Sequence, residues 1–397
     1  MRFEVGQRDA GSRARAGVLR LAHGAVRTPA FVPLATKGAV RTLLPAEVAA
    51  LGFDIVLGNT FHLMLEPGAE IVAAHGGLHG FMGWDGPIVT DSGGFQVFSM
   101  GHGNVADEVK GRSAQGSKGE GAVLGIEEAG VRFRSYVDGE ARFLSPEGSM
   151  EVQAALNSDI ALAFDECTPF HVSREYTEAS TERTHRWLRR CLDWHGEHGP
   201  AGQVVYGIVQ GGVHEDLRRA SAREVAGSGC AGIAIGGSLG EDKAQMHEVV
   251  GWATDELPED RPRHLLGIGD VDDLVRGVEL GIDTFDCAMP TRIARHGMAL
   301  VPAPDARWRV NLLNGGYRDD VAPILDGCPC PACAGGRSRA YLRHLVKQGE
   351  PAGLRLVTLH NLTFVAAVMR RLRDAILAGR LAEEAAALRG GASPVAA

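Results

Sequence analysis

The chain has 397 residues, which is long enough for one large domain with an appendage or for two domains. Hydrophobic residues make up 45% and charged residues 23% of the sequence, proportions that are ordinary for a soluble globular protein. Because 41 basic residues face 49 acidic ones, the formal net charge is −8, which excludes a uniformly basic nucleic-acid-binding protein and leaves room only for a local basic patch.

Eight short apolar segments recur along the chain and are predicted to be buried parallel strands. They are residues 30–36, 54–60, 87–94, 159–166, 204–212, 232–238, 263–270 and 281–289. Helix-like segments lie between most of them, including residues 176–197, 241–256 and a helix capped by Ser145. Eight strands with intervening helices predict an α/β fold, a (β/α)8 TIM barrel, although Pro33 weakens the first strand because proline lacks a backbone donor.

Polar residues or glycines end six of these apolar segments. They are Asn59, Asp91, Asp165, Gln210, Gly236 with Gly237, and Asp286. A single aspartate after a strand is more often a helix cap or a turn residue than a catalyst. Active-site groups of a (β/α)8 barrel lie at the C-terminal ends of its strands, however, so six such endings predict one common site.

Asp91 and Asp286 are the candidate catalytic pair. Chemistry at a sugar–base bond uses two carboxylates, of which one attacks and the other moves a proton. Displacing a base from ribose builds positive charge on the sugar, which an ionised carboxylate stabilises and can trap as a covalent ester. The leaving base needs a proton and the incoming base must lose one, so a second carboxylate with a modestly raised pKa suits both steps.

Asp165 and Gln210 suit the edge of a guanine-like base. A carboxylate accepts from ring N–H and amino groups, and an amide donates to a carbonyl oxygen. Phe95 offers a flat face on which a base can stack. The structural alternatives are that Asp165 caps a helix, Gln210 faces solvent and Phe95 belongs to the core. Of these, the alternative for Phe95 is the best supported.

The domain organisation is predicted to be a barrel with one appendage. We expect a catalytic barrel over residues 1–310, a zinc-binding subdomain with a C-terminal helix over 311–380, and a flexible tail over 381–397. Within the barrel, residues 101–130 are rich in glycine and serine and are expected to form a mobile surface loop.

Three of the seven cysteines lie within six residues, at Cys328, Cys330 and Cys333. Their spacing, with interleaved prolines, indicates a structural zinc site with four ligands, the fourth being His360 or His344. Seven cysteines cannot all form disulfides within one chain, and three clustered cysteines suit metal binding better than disulfide pairing. Both observations favour a reducing compartment. The N-terminus lacks a signal-peptide core and no segment reaches the roughly 18 apolar residues of a membrane span, so we predict a cytoplasmic protein that does not bind a membrane.

The charge balance reverses between residues 328 and 373. Eight basic residues and one acidic residue in this stretch give a local charge of 8 − 1 = +7. The common explanation is a solvated helical face, and the functional one is contact with phosphates. The run by itself favours the common explanation.

Together the motifs resemble those of bacterial-type tRNA-guanine transglycosylases, also called queuine tRNA-ribosyltransferases, from about residue 27 to residue 372. The motifs are LGNTFHL at 57–63, DSGGFQ at 91–96, FDECTP at 164–169, GIVQGG at 207–212, FDCAMPTR at 285–292 and the cysteine cluster. The resemblance implies a (β/α)8 barrel with a zinc-binding insertion near its C-terminal end. It also implies exchange of the wobble guanine of certain tRNAs for a 7-deazaguanine, in queuosine biosynthesis, with the aminomethyl base as the bacterial substrate.

The same resemblance implies roles for individual residues. Asp286 matches the nucleophile that attacks the anomeric carbon, Asp91 the proton acceptor and donor, and Asn59 a residue that steadies the nucleophile. The residues implied to bind the base, beside Asn59, are Ser92, Gly93, Gly94, Phe95, Asp165, Gln210 and Gly237. The residues implied to contact tRNA are Gly267, Ile268, Gly269, Asp270, Val271, Asp272, Asp273, Thr291, Arg292, Ile293, Ala294 and Arg295.

The resemblance further implies one structural zinc and a covalent cycle. The implied zinc ligands are Cys328, Cys330, Cys333 and His360. The cycle is ping-pong, because guanine leaves a covalent tRNA–enzyme adduct that the new base then resolves. The resemblance also implies a homodimer, which no residue pattern in this chain indicates independently.

Two departures from the family pattern bear on specificity. Where relatives often carry Lys-Pro, this chain has Asp270 and Val271, which exchanges a phosphate-attracting charge for a repelling one. After Gly236 and Gly237 the loop is one residue shorter than usual, which leaves the accepted base open.

Two alternatives to a tRNA enzyme remain. A DNA-modifying relative would insert deazaguanines into duplex DNA, and both the shortened loop and Asp270 are compatible with it. A non-catalytic partner subunit would have a degenerate site, and the presence of both Asp91 and Asp286 argues against it.

Overall fold

A computed structural model describes residues 1–101 and 123–395 of the chain. The strands in chain order are β1 (Arg2–Arg8), β2 (Arg15–Leu21), β3 (Gly24–Thr28), β4 (Ala30–Val32), β5 (Val56–Gly58), β6 (Ile88–Thr90), β7 (Val123–Glu127), β8 (Gly130–Arg134), β9 (Ala141–Leu144), β10 (Ile160–Leu162), β11 (Val204–Val209), β12 (Gly232–Ile235), β13 (Arg263–Leu265), β14 (Thr284–Asp286), β15 (Met298–Leu300) and β16 (Arg309–Asn311). The helices are α1 (Pro45–Ala50), α2 (Thr60–Leu65), α3 (Ala69–Ala74), α4 (Leu78–Met82), α5 (Gly94–Gly101), α6 (Pro146–Leu156), α7 (Arg174–His198), α8 (Glu215–Gly227), α9 (Lys243–Glu256), α10 (Val271–Glu279), α11 (Met289–Ala294), α12 (Arg339–Gln348), α13 (Pro351–Leu377) and α14 (Leu381–Arg389).

Eight parallel strands form a closed barrel. Their order is β4-β14-β13-β12-β11-β10-β6-β5, and a parallel bridge between Leu34 and Leu57 joins the last strand to the first. Each strand lies inside one of the eight apolar segments, so the predicted TIM barrel is confirmed. Pro33 does not interrupt the barrel, because β4 ends at Val32 and the Pro33 carbonyl accepts a hydrogen bond from the backbone N–H of Leu57 over 3.0 Å.

Two apolar layers follow from strands that are buried on both faces. The inner layer fills the barrel and includes Leu57, Leu162 and Ile208. Leu19 and Val26 of the β2–β3 hairpin pack on this layer, so the antiparallel sheet β1–β3 covers the N-terminal end of the barrel. The outer layer packs the strands against the surrounding helices. The loops at the C-terminal ends of the strands are therefore left to form a site.

A separate apolar cluster surrounds the cysteines near the C-terminus. It includes Val301, Ile324 and Leu342, and helix α13 contributes both to it and to the outer layer of the barrel. Within the part of the chain that the structure describes, α13 is the one helix long and apolar enough to cross a membrane, but 67% of its most apolar window is buried inside the protein. We interpret it as a core helix.

The segment after α13 differs from the sequence-based expectation. The sequence predicts a flexible tail over residues 381–397, whereas α14 is a helix whose Leu381, Ala385 and Leu388 are buried in the outer layer of the barrel. Their spacing gives α14 an apolar stripe, and burial of that stripe holds the helix on the barrel. Val395, at the end of the described chain, is also buried.

A small antiparallel sheet, β7–β9, is inserted between α5 and α6. The loop predicted over residues 101–130 lies mostly outside the described residues, which exclude 102–122. Residues 123–130 form β7 and the turn into β8. Val131 and Leu144 of this sheet are buried in the outer layer, so the inserted sheet packs on the barrel.

Candidate active site

The predicted site residues follow the barrel strands at one end. Asn59 comes directly after β5, Asp91 after β6 and Gln210 after β11, and Asp286 is the last residue of β14. Asp165 lies three residues beyond the end of β10. Because the strands are parallel, their C-terminal ends meet at the same end of the barrel, and these side chains lie at its mouth.

Asp286 is held by donors from the neighbouring strand β13 and the loop that follows it. The Nε2 atom of His264 lies 3.1 Å from Oδ1 of Asp286, and the backbone N–H of Gly267 donates to the same oxygen over 3.1 Å. The other ring nitrogen of His264 lies 2.8 Å from Oγ1 of Thr284. The two ring contacts fix the imidazole, and both donors act on Oδ1 rather than Oδ2 of the carboxylate.

Asp91 lies in a network of donors from its own loop and from the start of α2. Its Oδ1 accepts from the backbone N–H of Thr60 over 2.8 Å. Its Oδ2 accepts from the side-chain amide of Gln96 over 3.1 Å and from that of Asn59. Both carboxylate oxygens are therefore oriented by the protein.

Asn59 supports Asp91, whereas the resemblance placed it beside Asp286. Asn59 is the N-cap of α2, and its Oδ1 accepts from the backbone N–H of His62 over 2.9 Å. That bond fixes the side-chain amide, whose Nδ2 donates to Asp91 on the adjacent strand end. The role of steadying the nucleophile, which the resemblance implies, stays a prediction.

The two catalytic candidates lie in unlike surroundings. Burial, as the larger cause, and the nearby negative charge of Asp286 raise the pKa of Asp91 to about 7. The hydrogen bonds from Thr60 and Gln96 oppose this shift. Asp286 instead accepts two hydrogen bonds on one oxygen. Two acids whose environments differ in this way can divide the roles of proton carrier and nucleophile.

Asp165 is the third acid of the site and is buried. Its Oδ1 accepts from the hydroxyl of Ser92 over 2.9 Å, and its Oδ2 accepts from Nε2 of Gln210 over 2.7 Å. Burial raises the pKa of Asp165 to about 6, and these two hydrogen bonds oppose the shift. The loop after β6 and the end of β11, which were predicted separately to bind a base, therefore meet at one carboxylate.

Gly94 and Gly237 allow the backbone to approach this group closely. A Cβ at residue 94 would lie 2.6 Å from the carbonyl oxygen of Asp165. At residue 237, φ is +76° and a Cβ would lie 2.1 Å from Oε1 of Gln210. Glycine is therefore required at both positions.

The remaining base-binding candidates surround the same pocket. Ser92 and Gly93 are buried, and Phe95 in the first turn of α5 is partly buried against the outer apolar layer. Part of the Phe95 residue remains exposed to solvent. Cys167 is buried near Asp165, and burial raises the pKa of its thiol.

A buried arginine that the sequence reasoning missed organises the shortened loop after β12. The guanidinium of Arg218 donates to the carbonyl oxygens of Gly236 and Ser238, each over 2.7 Å. It also donates to those of Val209 over 3.0 Å and Gly212 over 2.7 Å. The side chain thus ties the loop to the end of β11. No sequence signal separates it from the exposed arginines that are usual on a polar helix such as α8.

Asp270 lies beside two cations, of which Lys243 is shared with Asp272 and Asp273. Its carboxylate lies 3.4 Å from Nη2 of Arg309 and 3.9 Å from Nζ of Lys243. Two flanking cations reduce the repulsion that the sequence alone implies for a phosphate. In the rest of the segment, Asp272 accepts from Nε1 of Trp308 over 2.9 Å. Four residues of the segment 267–273 are buried, namely Ile268, Gly269, Val271 and Asp273.

Arg292 and Arg295 lie close to a third arginine, Arg41. Arg41 follows β4 and the other two belong to the segment after β14, which is the neighbouring strand. Burial lowers the pKa of Arg295, and the charges of Arg41 and Arg292 lower it further. Arg292 is exposed and Arg295 partly buried, while their neighbours Thr291 and Ala294 are buried and Ile293 is partly buried. The three arginines form a local basic patch of the kind that a protein with a net negative charge needs in order to bind nucleic acid.

The three cysteines converge on His360. Its Nδ1 lies 3.7 Å from Sγ of Cys328 and 3.5 Å from Sγ of both Cys330 and Cys333. Bonds of about 2.3 Å to sulfur and about 2.0 Å to nitrogen around a tetrahedral zinc ion place the two ligand types about 3.5 Å apart. All four residues are buried, and together they could hold a metal ion.

The orientation of His360 is fixed by its second nitrogen. Nε2 lies 2.8 Å from the carbonyl oxygen of Leu300, so Nε2 carries the hydrogen and Nδ1 presents its lone pair to the cysteines. His344, the alternative fourth ligand, stands outside the group. The donor set of three thiolates and one imidazole fits zinc.

Comparisons with known proteins agree along nearly the whole chain. The sequence model of a family described as "Queuine tRNA-ribosyltransferase" matches residues 9–390. A queuine tRNA-ribosyltransferase from Roseiflexus sp. (strain RS-1) is 49% identical over 389 residues, which cover 96% of this chain and 97% of the relative. One from Pelotomaculum thermopropionicum is 47% identical over 380 residues, covering 96% of this chain and 95% of the relative.

Proposed function

This chain belongs to the queuine tRNA-ribosyltransferase family, and we propose that it exchanges the wobble guanine of tRNA for 7-aminomethyl-7-deazaguanine through a covalent ribosyl–Asp286 intermediate. Membership makes it a pentosyltransferase, a tRNA-guanine transglycosylase of queuosine biosynthesis that acts on tRNA. The observation that carries the proposal is the pairing of Asp91 with Asp286, two acids at one mouth in unlike environments.

In the first half of the reaction, Asp286 attacks the ribose of the bound guanosine. The hydrogen bonds from His264 and Gly267 act on Oδ1, so Oδ2 is the attacking oxygen. A bond forms between Oδ2 and C1′ as the C1′–N9 bond breaks, and the departing guanine takes the electron pair of that bond. Asp91, with a pKa of about 7, carries the proton that neutralises the leaving base.

In the second half, the incoming deazaguanine reverses these steps. Its N9–H gives a proton to the Asp91 carboxylate, and N9 attacks C1′ as the C1′–oxygen bond to Asp286 breaks. Asp286 leaves as a carboxylate, which the donors His264 and Gly267 stabilise. Asp91 ends the cycle protonated, as it began, so no external acid or base is consumed.

Asp165 and Gln210 hold the base in this proposal. Each oxygen of Asp165 accepts one hydrogen bond within the protein, which leaves further lone pairs for the ring N–H and amino group of a guanine-like base. Gly237 permits the loop backbone to approach the base, and Arg218 fixes that loop. Phe95, which remains partly exposed, stacks on the base.

The arginine patch of Arg41, Arg292 and Arg295 positions the tRNA backbone. Exposed guanidinium groups bind phosphates, and this patch borders the mouth on neighbouring strands. The segment 267–273 lines the other side of Asp286 and contacts the nucleotides around the wobble position. Arg309, 3.4 Å from Asp270, offsets part of the negative charge in this segment.

The architecture around the site completes the proposal. The catalytic barrel spans residues 1–310, and residues 311–380 form a subdomain held by one structural zinc on Cys328, Cys330, Cys333 and His360. All four ligand positions are filled by protein, so the zinc takes no part in the chemistry. The enzyme works in the cytoplasm as a homodimer.

Base exchange on purified nucleic acids tests the function. Labelled guanine should enter bulk tRNA and not duplex DNA, and a panel of 7-substituted deazaguanines should compete, with the aminomethyl form strongest. Incubation with tRNA and a base analogue should give a denaturation-resistant protein–RNA band that Asp286→Asn abolishes. Asp138→Asn, which changes an exposed acid in the β8–β9 turn, is the control and should retain the band. Exchange into DNA alone, or no band with the unaltered protein, would contradict the proposal.

A further inference from the structure

A second group of metal-binding side chains lies at the opposite end of the barrel from the active site. It consists of His23 in the turn between β2 and β3, His79 in α4, and Asp159 directly before β10. Asp159 is at the N-terminal end of its strand, whereas the catalytic acids are at C-terminal ends. We propose that these three residues bind a divalent ion of the zinc type, independently of the cysteine cluster and of the base-exchange function.

The separations between the three side chains fit one ion. Nδ1 of His23 lies 3.0 Å from Oδ1 of Asp159, and Nε2 of His79 lies 3.2 Å from Oδ2. The two imidazole rings stack with centroids 3.6 Å apart and planes 21° apart, so both present their edges to the same carboxylate. Nitrogen and oxygen ligands at about 2.0–2.1 Å from a tetrahedral zinc ion are about 3.4 Å from each other.

The carboxylate is already oriented for a ligand. The backbone N–H of His23 donates to Oδ1 of Asp159, and the backbone N–H of Ile88 donates to Oδ2, each over 2.9 Å. Each oxygen thus uses one lone pair on the backbone and keeps another for the histidine side of the group. The side chain of Asp159 is fully buried, so the backbone bonds hold it in place whether or not an ion is present.

His79 provides the observation that calls for a cation. Both of its ring nitrogens are buried, and Nε2 lies 3.2 Å from Oδ2 of Asp159. A buried nitrogen beside a carboxylate oxygen is unfavourable unless a hydrogen or a cation lies between them. A metal ion bound to both atoms satisfies each of them.

The donor set decides the class of ion. Two imidazoles and one carboxylate suit zinc and similar borderline ions, whereas magnesium and calcium prefer oxygen ligands throughout. The side chain of His23 is 38% exposed, so an ion can enter from solvent and water can complete its coordination. The ion at this site is therefore accessible to chelators, in contrast to one held by the buried cysteines.

The proposed ion would link the β2–β3 hairpin, which covers the N-terminal end of the barrel, to the barrel strand β10. His23 belongs to the hairpin whose Leu19 and Val26 close the inner layer, while Asp159 belongs to the barrel strand β10. A ligand that binds these elements only when they are folded together stabilises the folded state. Its loss should lower the thermal midpoint without changing base exchange at the other end.

Metal titration of the full-length protein tests the proposal. After mild chelation, the metal that remains per chain is measured by mass spectrometry, and ZnCl2 is then titrated by calorimetry while the thermal midpoint is followed. The unaltered protein should bind one further zinc per chain with a rise in midpoint. His79→Asn should weaken this binding at least about tenfold and abolish the rise, while base exchange is retained.

A neighbouring histidine provides the matched control. His75, at the end of α3, bonds through Nδ1 to the carbonyl oxygen of Ile71 over 2.8 Å and is outside the group. His75→Asn should bind the additional zinc as the unaltered protein does. His23→Asn, which changes an exposed side chain, replaces His79→Asn if that variant fails to fold. Co²⁺ bound at this site should lack the intense thiolate charge-transfer absorption that Co²⁺ at the cysteines would show.

Two results would overturn the proposal. One is the absence of any further zinc site in the unaltered protein after chelation. The other is equal uptake by the unaltered protein, His79→Asn and His23→Asn. Either result would make the group a hydrogen-bonded anchor for the hairpin and would leave the base-exchange proposal untouched.

Discussion

His264 and Asp286 face each other from neighbouring strands, with Nε2 of the histidine 3.1 Å from Oδ1 of the aspartate. The histidine is fixed from behind by Thr284, whose Oγ1 lies 2.8 Å from Nδ1. A buried imidazole held through both ring nitrogens orients the carboxylate, and in the proposed mechanism it stabilises Asp286 as it leaves the sugar. His264 is therefore a positioning residue for the proposed nucleophile.

Replacement of His264 by leucine should lower kcat about 10- to 100-fold. The reason is that a hydrogen bond to a charged group contributes about 1.5–3 kcal/mol, and Asp286 would lose one while keeping the Gly267 donor. KM for tRNA should change less than about twofold, because His264 contacts the acid and not the RNA-binding patch. Steady-state base exchange measures both constants.

The conservative variant separates positioning from packing at this site. His264→Gln retains a side-chain N–H near the place of Nε2 and should recover most of the lost kcat. Equal losses in His264→Leu and His264→Gln, or a loss confined to KM, would show that the contact does not support catalysis.

The pH dependence of guanine release should follow the protonation of Asp91. Its pKa is raised to about 7, so the group is protonated below that pH and can donate to the leaving base. Single-turnover release of labelled guanine from tRNA should therefore be constant well below pH 7 and fall about tenfold per unit above it. The Asp91→Asn variant should release guanine slowly, and its release rate should not change through pH 7. A release rate in the unaltered enzyme that rises through pH 7 would assign the proton to another group.

Gly237→Ala should weaken binding of the free base about tenfold or more. The new Cβ would lie 2.1 Å from Oε1 of Gln210, and φ at this residue is +76°, so either the amide or the loop must move. Gly251→Ala is the matched control, since its Cβ in α9 would meet only Leu280 at 3.9 Å. Calorimetric titration with guanine measures both variants. If Gly237→Ala binds the base as tightly as Gly251→Ala does, the loop at Gly237 is not part of the base-binding pocket.

Cys330→Ser should remove the chelator-resistant zinc and destabilise the C-terminal subdomain. Cys330 is buried in the same apolar cluster as Ile324 and Leu342, so loss of the ion loosens their packing. Binding of tRNA should fall while binding of guanine is retained, because the pocket lies in the barrel. Metal analysis, filter binding with tRNA and calorimetry with guanine separate these effects.

A buried cysteine outside the cluster controls for the substitution itself. Cys230 donates through Sγ to the carbonyl oxygen of Val225 over 3.5 Å and lies apart from the metal-binding group. Cys230→Ser should keep its zinc and its affinity for tRNA. Unchanged zinc content in Cys330→Ser would count against the site.

The sequence was informative about the site where a residue's chemistry and its place after a strand were enough. Asp91, Asp286, Asp165 and Gln210 each end an apolar segment, and parallel strands bring such ends together without further information. The contact of Asn59 with Asp91 was not predicted, because it depends on which neighbouring strand end the amide reaches. Arg218 was missed because its burial depends on carbonyl groups from the end of β11 and from the loops after β11 and β12.

The sequence by itself determined the kind of barrel, the pair of acids and the metal-binding cysteines, since apolar periodicity, residue chemistry and short spacing are local properties. The tertiary structure alone decided the raised pKa of Asp91, the support of Asp286 by His264, the pairing of Asp270 with Arg309 and the meeting of His23, His79 and Asp159. The physical reason is that hydrogen bonding, desolvation and charge pairing act over a few ångströms. His264 and Asp286 are 22 positions apart in the chain, and His23 and Asp159 are 136 apart, so such pairs come within that range only when the strands close into a barrel.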